Sequence, residues 1–416
     1  YVYNGAYWKI LSDENIKWFL LGAAIRMGVD ELVAKHFLFV DALYKQFMST
    51  AILQSSESAD TGTRINLKNG TFRIDKYGNT SITDFDPTDF LMYQLPFEYD
   101  TSKTAPIFIA FLNRVLPSIE SQTVLAEYIG YLFISSSVLK LEKALYLYGT
   151  GANGKSVFFE IINAMLGKEN VSNYSLESIT KQDGYTRAVL SKKILNYASE
   201  ISGKMDSSIF KALTSGEEIE AREIYGKPFT MKDYAKLMFN CNELPKEIEF
   251  TDAFFRRLMI IKFGVTIPEN EQDKELAAKI IASELSGVFN WVLDGLKRVL
   301  VQRKFTECTE VKDAVEEYRT MSDSIRMFID ENGYEKSSNH TSLALVYEQY
   351  QEYCKDSGCF PCQKGRFSER LVNMGYKKER TSKGMVLFMN KKVTSSTTYA
   401  TFPTPLQPSD PNTTSK

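Results

Sequence analysis

The sequence predicts an α/β protein. A parallel-sheet core is built around a phosphate-binding loop, with a helical and β-containing region before it and a small domain of winged-helix order after it. Three observations carry this expectation. Gly149, Gly154, Lys155 and Ser156 fit G-x-x-x-x-G-K-[ST] between an apolar strand and a helical run. Strand-like and helix-like segments then alternate to about residue 263, the pattern of a parallel sheet. Nine lysines and arginines against two glutamates crowd into Gln363–Lys392, in a chain whose net charge is −2.

Taken in order, residues 1–105 form the first expected domain. Its stretch DENIKWFLLGAAIRMGVDELVAKHFLFVDALYKQFMSTAILQ has helical apolar spacing, broken at Gly28. RINLKNGTFRIDKYGNTSI then reads as a hairpin with turns at Asn69-Gly70 and Tyr77-Gly78-Asn79. Residues 106–300 form the second domain: two helices to about 140, the strand Ala144–Tyr148, the loop, a helix from Val157 to Leu166 stopped by Gly167, and further alternation. The amphipathic stretch KELAAKIIASELSGVFNWVLDGLKRVL closes it. Residues 301–315 are charged and poor in core residues, which suits a linker. Residues 316–392 read as two helices with a tight turn followed by a hairpin, the order of a winged helix. Residues 393–416 lack the apolar content to fold, so a disordered tail is expected.

The chain's 416 residues suffice for two to four domains, and its composition is that of a globular protein. The small net charge excludes a polycation that coats nucleic acid, so any DNA contact is local. Five cysteines without a disulfide framework point to a reducing compartment such as the cytoplasm. No apolar run reaches membrane-spanning length. The chain opens at Tyr1 without methionine, which suggests a piece of a longer protein.

The chemistry starts at the loop. Glycines let backbone N–H groups close around phosphate oxygens, and the helix that follows aims its positive dipole end at the same anion. Gly149, Thr150, Gly151, Ala152, Asn153, Gly154, Lys155 and Ser156 are therefore the candidate nucleotide-binding residues. Lys155 would reach the β- and γ-phosphates of ATP, and Ser156 would hold Mg²⁺. KKILNYASEIS places a strand that ends at Glu200, where a carboxylate can position Mg²⁺ or polarise the attacking water. Ser199 precedes it, so the usual pair of acids is absent.

Further on, Ile219–Tyr225 and Pro228–Met231 can flank a hairpin tipped by Gly226-Lys227. AKLMFNCN reads as a buried strand ending in asparagines able to meet a γ-phosphate or its water. Arg256 and Arg257 precede another buried strand. An arginine supplied across a subunit boundary would stabilise charge on a phosphoryl group in transfer.

In that order, these features resemble a superfamily 3 helicase. The chain is most similar to the helicase half of phage, plasmid and poxvirus primase-helicases. INLKNGTF, AEYIGYLF, GTGANGKS, KALTSGEEIEAR and NCNELP carry the resemblance, which covers residues 60–265 well and the ends more loosely. It implies an AAA+ ATPase fold, a hexameric ring and 3′-to-5′ translocation on single-stranded or forked DNA. An upstream primase-polymerase domain and a virus or mobile-element origin are also implied, as is a collar-like role in oligomerisation for residues 1–105. By the same resemblance, Gly149–Ser156 is the Walker A loop and Glu200 the Walker B acid. Asn242 is the sensor, with Asn240 the weaker candidate. Arg256 is the finger with Arg257 second, and Lys227, with Arg222 in support, is the DNA-binding lysine of a pore hairpin.

Cys354, Cys359 and Cys362 invite a zinc reading, but a fourth ligand is missing nearby, so packing is expected instead. The many Phe and Tyr residues fall mostly at core spacing and read as packing rather than base-stacking surfaces. Two functions from different classes remain open: a hexameric helicase, and an ATP-switched initiator or loader that does not unwind processively. The lysine at the hairpin favours the motor.

Overall fold

The structure is a computed structural model that describes residues 1–51, 62–199, 205–245, 248–357, 359, 361–382 and 384–392. The chain divides into two compact units, Tyr1–Ser322 and Asp323–Lys416. The tail expected over 393–416 lies outside the described residues.

The first unit opens with a short ribbon, β1 (Val2–Tyr3) and β2 (Trp8–Lys9). Helices α1 (Asp13–Arg26), α2 (Glu31–Ala34) and α3 (Phe37–Thr50) follow. Ser12 caps α1 by accepting from Asn15 N–H, and Gly28 breaks the run at φ +93° as expected. Next come β3 (Thr63–Leu67), β4 (Gly70–Ile74) and β5 (Thr80–Thr83), an antiparallel sheet with one strand more than the expected hairpin. Its inner face is not a separate core. Ile65, Leu67, Phe72 and Ile74 are buried, and the Phe72 ring meets Tyr99 at 5.3 Å and Phe289 at 6.2 Å. The expected boundary at residue 105 therefore runs through shared packing.

Helices α4 (Pro106–Val115) and α5 (Ile119–Tyr131) lead to the inner strand β6 (Ala144–Tyr148) and to α6 (Lys155–Leu166). Proline opens α4 at no cost in hydrogen bonds. The buried Glu284 carboxylate caps it from afar, accepting from Ile107 N–H at 3.0 Å and Phe108 N–H at 2.9 Å. Then follow β7 (Val171–Ser172), α7 (Leu176–Ile179), α8 (Tyr185–Ala188), β8 (Leu195–Ala198) and α9 (Ser207–Ser215). A separate hairpin, β9 (Ile219–Arg222) and β10 (Pro228–Met231), precedes β11 (Lys236–Cys241), α10 (Asp252–Phe255) and β12 (Leu258–Lys262). Helices α11 (Leu276–Ser283), α12 (Leu285–Gln302) and α13 (Thr309–Met321) complete the unit.

The core is a five-stranded parallel sheet in the order β12-β6-β11-β8-β7. Its strands are nearly continuous apolar runs because both faces are covered. On β6 the alternation is strict. Leu145 and Leu147 enter one core with α4, α5, α6 and α12, while Ala144 and Tyr146 enter a second with α7, α9, α10 and α13. Helix α12 lies so close to α5 that a Cβ on Gly295 would fall 2.3 Å from the Ala126 carbonyl.

The stretch 301–315 is not a linker. Phe305 packs against Tyr131, Cys308 is buried, and α13 starts at Thr309. Ala314 and Tyr318 are buried on the sheet, with Tyr318 hydroxyl donating to Pro245 carbonyl. The polar majority of this segment is the outer face of a packed helix, which hid its few anchors. For the same reason the C-terminal unit starts at Asp323, not at 316.

The second unit is α14 (Ser324–Glu331), β13 (Tyr334–Ser342), α15 (Leu343–Asp356), α16 (Lys364–Asn373), β14 (Lys378–Thr381) and β15 (Gly384–Lys391), with sheet order β13-β15-β14. The two helices and the hairpin were expected; α14 and β13 were not. Phe328, Tyr350 and Phe367 form its core. Its basic cluster is partly neutralised from within. The buried Asp323 takes Arg370 at 2.5 Å, and Glu335 takes Lys392 at 3.0 Å. Over Asp323–Lys392 twelve cations face nine carboxylates, so the local excess is far smaller than the Gln363–Lys392 window alone suggests.

Cys354 packs in this core as expected. Among the described residues no single helix is long and apolar enough to cross a membrane.

Candidate functional site

The loop Gly149–Ser156 leaves the carboxyl end of β6, where open parallel sheets form their crevice. Both neighbouring strands pin it. Gly149 N–H donates to Cys241 carbonyl at 3.2 Å, and Asn153 Nδ2 donates to Phe263 carbonyl at 3.0 Å. Two glycines are sterically required. A Cβ on Gly149 would lie 2.4 Å from the Phe263 oxygen. Gly154 sits at φ +84°, and its Cβ would strike Val115 at 2.8 Å and Phe111 at 2.9 Å. Thr150, Gly151 and Ala152 are exposed, Ala152 at φ +58°, so backbone rather than side chain lines the mouth. The α6 N-terminus opens at Lys155 behind it.

Lys155 is only 4% exposed. Its Nζ shares its three protons among four oxygens within hydrogen-bond distance: Gly149 carbonyl at 2.6 Å, Thr150 carbonyl at 3.1 Å, Asn153 Oδ1 at 2.9 Å and Asn242 Oδ1 at 3.3 Å. No carboxylate is among these partners, and burial pushes the ammonium below the ordinary lysine range. The side chain is a cation held by neutral oxygens at the mouth of an amide-lined loop. That donor set fits a polyphosphate, whose negative oxygens would relieve the burial.

Ser156 is exposed in the first turn of α6 and faces a cleft of about 650 Å³, shared with Glu160, Asn173, Ser175, Tyr197 and Ser199. Glu200 lies outside the described residues, so the structure puts Ser156 and the end of β8 on one cleft without placing that carboxylate. Asn242, just beyond β11, is brought to Lys155. Asn240 is inside β11, 7% exposed, and its Oδ1 has no hydrogen-bond partner among the described residues. Burial pushes the nearby Tyr197 hydroxyl up to about 12, against a hydrogen bond from Asn240 that pulls it down.

The two arginines lie elsewhere. They precede β12, at the opposite end of the strands from the loop, about 15 Å of strand away. The Arg256 side chain is 62% exposed, with Nη2 at 3.2 Å from Glu142 Oε2. Arg257 is buried: Nη2 donates to Ser215 Oγ at 2.8 Å and Nη1 to Ala253 carbonyl at 2.6 Å, while Nη2 lies 3.4 Å from the same Glu142 oxygen. Lys143 Nζ fixes the backbone here, donating to Arg256 carbonyl at 2.6 Å and Leu258 carbonyl at 3.1 Å. Neither arginine can serve the loop of its own chain in this arrangement. Glu142 and Lys143 were not anticipated. They register in the sequence only as charges that interrupt an apolar run, and the left-handed φ of +53° at Glu142 leaves no sequence signal.

The hairpin β9–β10 stands apart from the main sheet, in the register Arg222↔Pro228 to Ile219↔Met231. Buried Arg187 ties its base down by donating to Glu220 carbonyl at 2.9 Å and Lys181 carbonyl at 3.0 Å. The turn differs from the expected Gly226-Lys227 tip. Gly226 N–H donates to Glu223 carbonyl at 2.8 Å, so Ile224 and Tyr225 are its central residues. Lys227 is exposed immediately before the return strand. Arg222 is exposed too, with Nε donating to Gly226 carbonyl at 3.2 Å.

Comparison with known proteins adds the following. Residues 1–117 match the family described as D5 N terminal like, and residues 320–401 the family described as Poxvirus D5 protein-like. Residues 147–257 match a family of unknown function, DUF5906. A protein named as a helicase in Invertebrate iridescent virus 3 is 26% identical over 290 residues, 61% of this chain and 30% of that protein. Another, named as a helicase in Acanthamoeba polyphaga mimivirus, is 29% identical over 161 residues, 36% of this chain and 17% of that protein. The chain thus spans less than a third of the length of these relatives. Two apo structures of the NrS-1 C-terminal region align over 78% of this chain and 94% and 95% of theirs. Their identities are 12% and 14% and their TM-scores 0.44 and 0.43, too distant to identify the fold.

Proposed function

We propose that this chain, which belongs to the phage- and poxvirus-type primase-helicase family, is the ATP-driven motor part of a replicative DNA helicase. In this reading the first unit is an AAA+ core, the second a winged helix, and six copies close a ring that moves 3′ to 5′ on single-stranded DNA. A primase-polymerase activity would be associated with it. The observation that carries the proposal is the meeting of Lys155 and Asn242 at 3.3 Å beside the glycine loop.

Each residue then has a task. The amides of Gly149–Ser156 bind and orient the phosphates, and Lys155 leaves its carbonyl partners to meet them. Asn242 orients the water or the terminal phosphate. Ser156 and Glu200 would hold Mg²⁺, which offsets phosphate charge when bound. Arg256, distant from its own loop, would complete the site of the neighbouring copy. Lys227 and Arg222 would grip phosphates of the DNA strand, a contact that ignores sequence.

A strand-displacement assay on a forked duplex with a 3′ tail, run with ATP and Mg²⁺, tests the reading. The parent chain should unwind, and Lys155→Ala should not. Hydrolysis stimulated by DNA without any unwinding would move the conclusion to an ATP-switched loader.

A further inference from the structure

We propose that Tyr225 is a base-stacking residue: its ring packs on a nucleobase of single-stranded DNA while Lys227 and Arg222 hold the phosphates. This rests on the reading of β9–β10 as the DNA grip and adds a second kind of contact to it.

The turn carries apolar surface where none is needed for folding. Tyr225 is 102% exposed and the adjacent Ile224 is 72% exposed. Single exposed apolar residues are ordinary, but two side by side at the centre of a projecting turn leave both without packing. Tyr225 also sits at φ +60°, a left-handed backbone region that is strained for a bulky non-glycine residue. Gly or Asn would relieve that strain, and glycine stands one position later, at Gly226. A bulky ring held at a strained, unpacked position is accounted for by an external partner.

The charges show what the ring adds. From Ile219 to Met231 the hairpin carries Arg222 and Lys227 against Glu220 and Glu223, so it is formally neutral. Lys192 pairs with Glu223 at 3.0 Å, which removes one carboxylate from the strand's path without making the hairpin strongly basic. Phosphate attraction alone is therefore modest, and stacking supplies affinity that does not depend on net charge. Aromatic and basic groups alternate here: the Arg222 guanidinium lies over the Tyr185 ring at 5.7 Å, and Tyr185 is itself 38% exposed. Such interleaving suits single strands, whose bases are free to stack, and not duplexes.

The test compares two oligonucleotides of equal length, oligo-dT and a wholly abasic strand, by fluorescence anisotropy with a non-hydrolysable ATP analogue. Tyr225→Asn removes the ring yet suits the left-handed turn, so it does not harm the hairpin. It should weaken oligo-dT binding roughly tenfold, in the range expected for one base–aromatic stack, and leave abasic binding unchanged. Tyr225→Trp should retain oligo-dT binding. Lys227→Ala should weaken both. Equal loss on the two strands, or no loss on oligo-dT, overturns the stacking role while leaving the grip intact. A parent chain that binds neither strand overturns the grip itself, and the stacking role with it.

Discussion

Lys155 Nζ and Asn242 Oδ1 lie 3.3 Å apart across 87 positions of sequence. Register prepares this contact: β6 and β11 are paired from Leu145↔Met238 to Tyr148↔Cys241, so Asn242, just past β11, lies beside the loop that follows β6 and carries Lys155 at its far end. Lys155→Ala should abolish ATP hydrolysis. Asn242→Ala should retain nucleotide binding and lose on the order of 100-fold in turnover, as for loss of one positioned polar group. Steady-state hydrolysis and nucleotide-binding titrations check both. Normal turnover in Asn242→Ala would shift the sensor role to Asn240.

Arg256 and Arg257 should separate by readout. Arg257→Ala strips donors from Ser215 and Ala253 in a buried site and should cost about 1–3 kcal/mol of stability. Arg256→Ala removes only an exposed ion pair and should leave stability within about 0.5 kcal/mol. It should nevertheless lose hydrolysis, and mixing it with Lys155→Ala should restore part of it. Denaturant midpoints and ATPase rates decide; mixed rings without any recovery would remove the trans role.

Lys227→Ala should keep basal ATP hydrolysis and lose most unwinding and most stimulation by single-stranded DNA. The residue is exposed on a hairpin that does not belong to the sheet carrying the loop. Adding Arg222→Ala tests whether the load is shared. Parental unwinding by the double variant would end the assignment of this hairpin as the grip.

Ending the chain after Ser322 should leave ATP hydrolysis intact, because the cut falls between compact units and spares the buried Tyr318. A cut at 316 should instead destabilise the first unit, since Tyr318 belongs to its core. Duplex binding by the shorter chain should fall modestly, in line with the thirteen cations and ten carboxylates that the cut removes. Affinity measured over a salt series checks this; an unchanged salt slope would mean that the second unit makes no phosphate contact.

Lys236 gives a pH dependence. Its Nζ donates to Ser136 Oγ at 2.9 Å and lies over the Tyr131 ring at 4.9 Å. Burial pushes its pKa down to about 8, against the pull of Asp233. Between pH 8 and the usual lysine range near 10.5 the unfolded chain holds a proton that the folded chain does not. Stability therefore rises with pH across that window, and the full penalty is present below it. Lys236→Met should be more stable than the parent at pH 7, by an amount on the order of 2 kcal/mol. The difference should shrink by pH 10. Urea midpoints at both pH values test this, and a pH-independent difference would refute it.

Much of this was legible in the sequence because it is local. The loop needs glycines at fixed offsets, and β6, α6 and β11 follow from short apolar runs beside turn residues. What was not legible is non-local. Phe305, Cys308 and Tyr318 are anchors in a polar stretch, and only the completed sheet shows what they pack against. The turn of β9–β10 moved because Pro228 pairs with Arg222, which fixes the register and makes Ile224 and Tyr225 its centre. Burial of Lys155 likewise depends on the Phe263 and Asn242 segments closing over the loop.

The single Glu142 oxygen between two guanidiniums has a consequence for how a ring could cycle. Arg256 holds it at 3.2 Å and Arg257 at 3.4 Å, but only Arg257 is anchored elsewhere. If Arg256 swings away, the carboxylate is not orphaned, because its second counter-charge stays in place. The release then costs no more than a solvent-exposed pair, about 1 kcal/mol or less. In the proposed ring Glu142 would serve as a parking place: it would keep Arg256 off unspecific anions between engagements and give it up at little expense when a neighbour presents a stronger one.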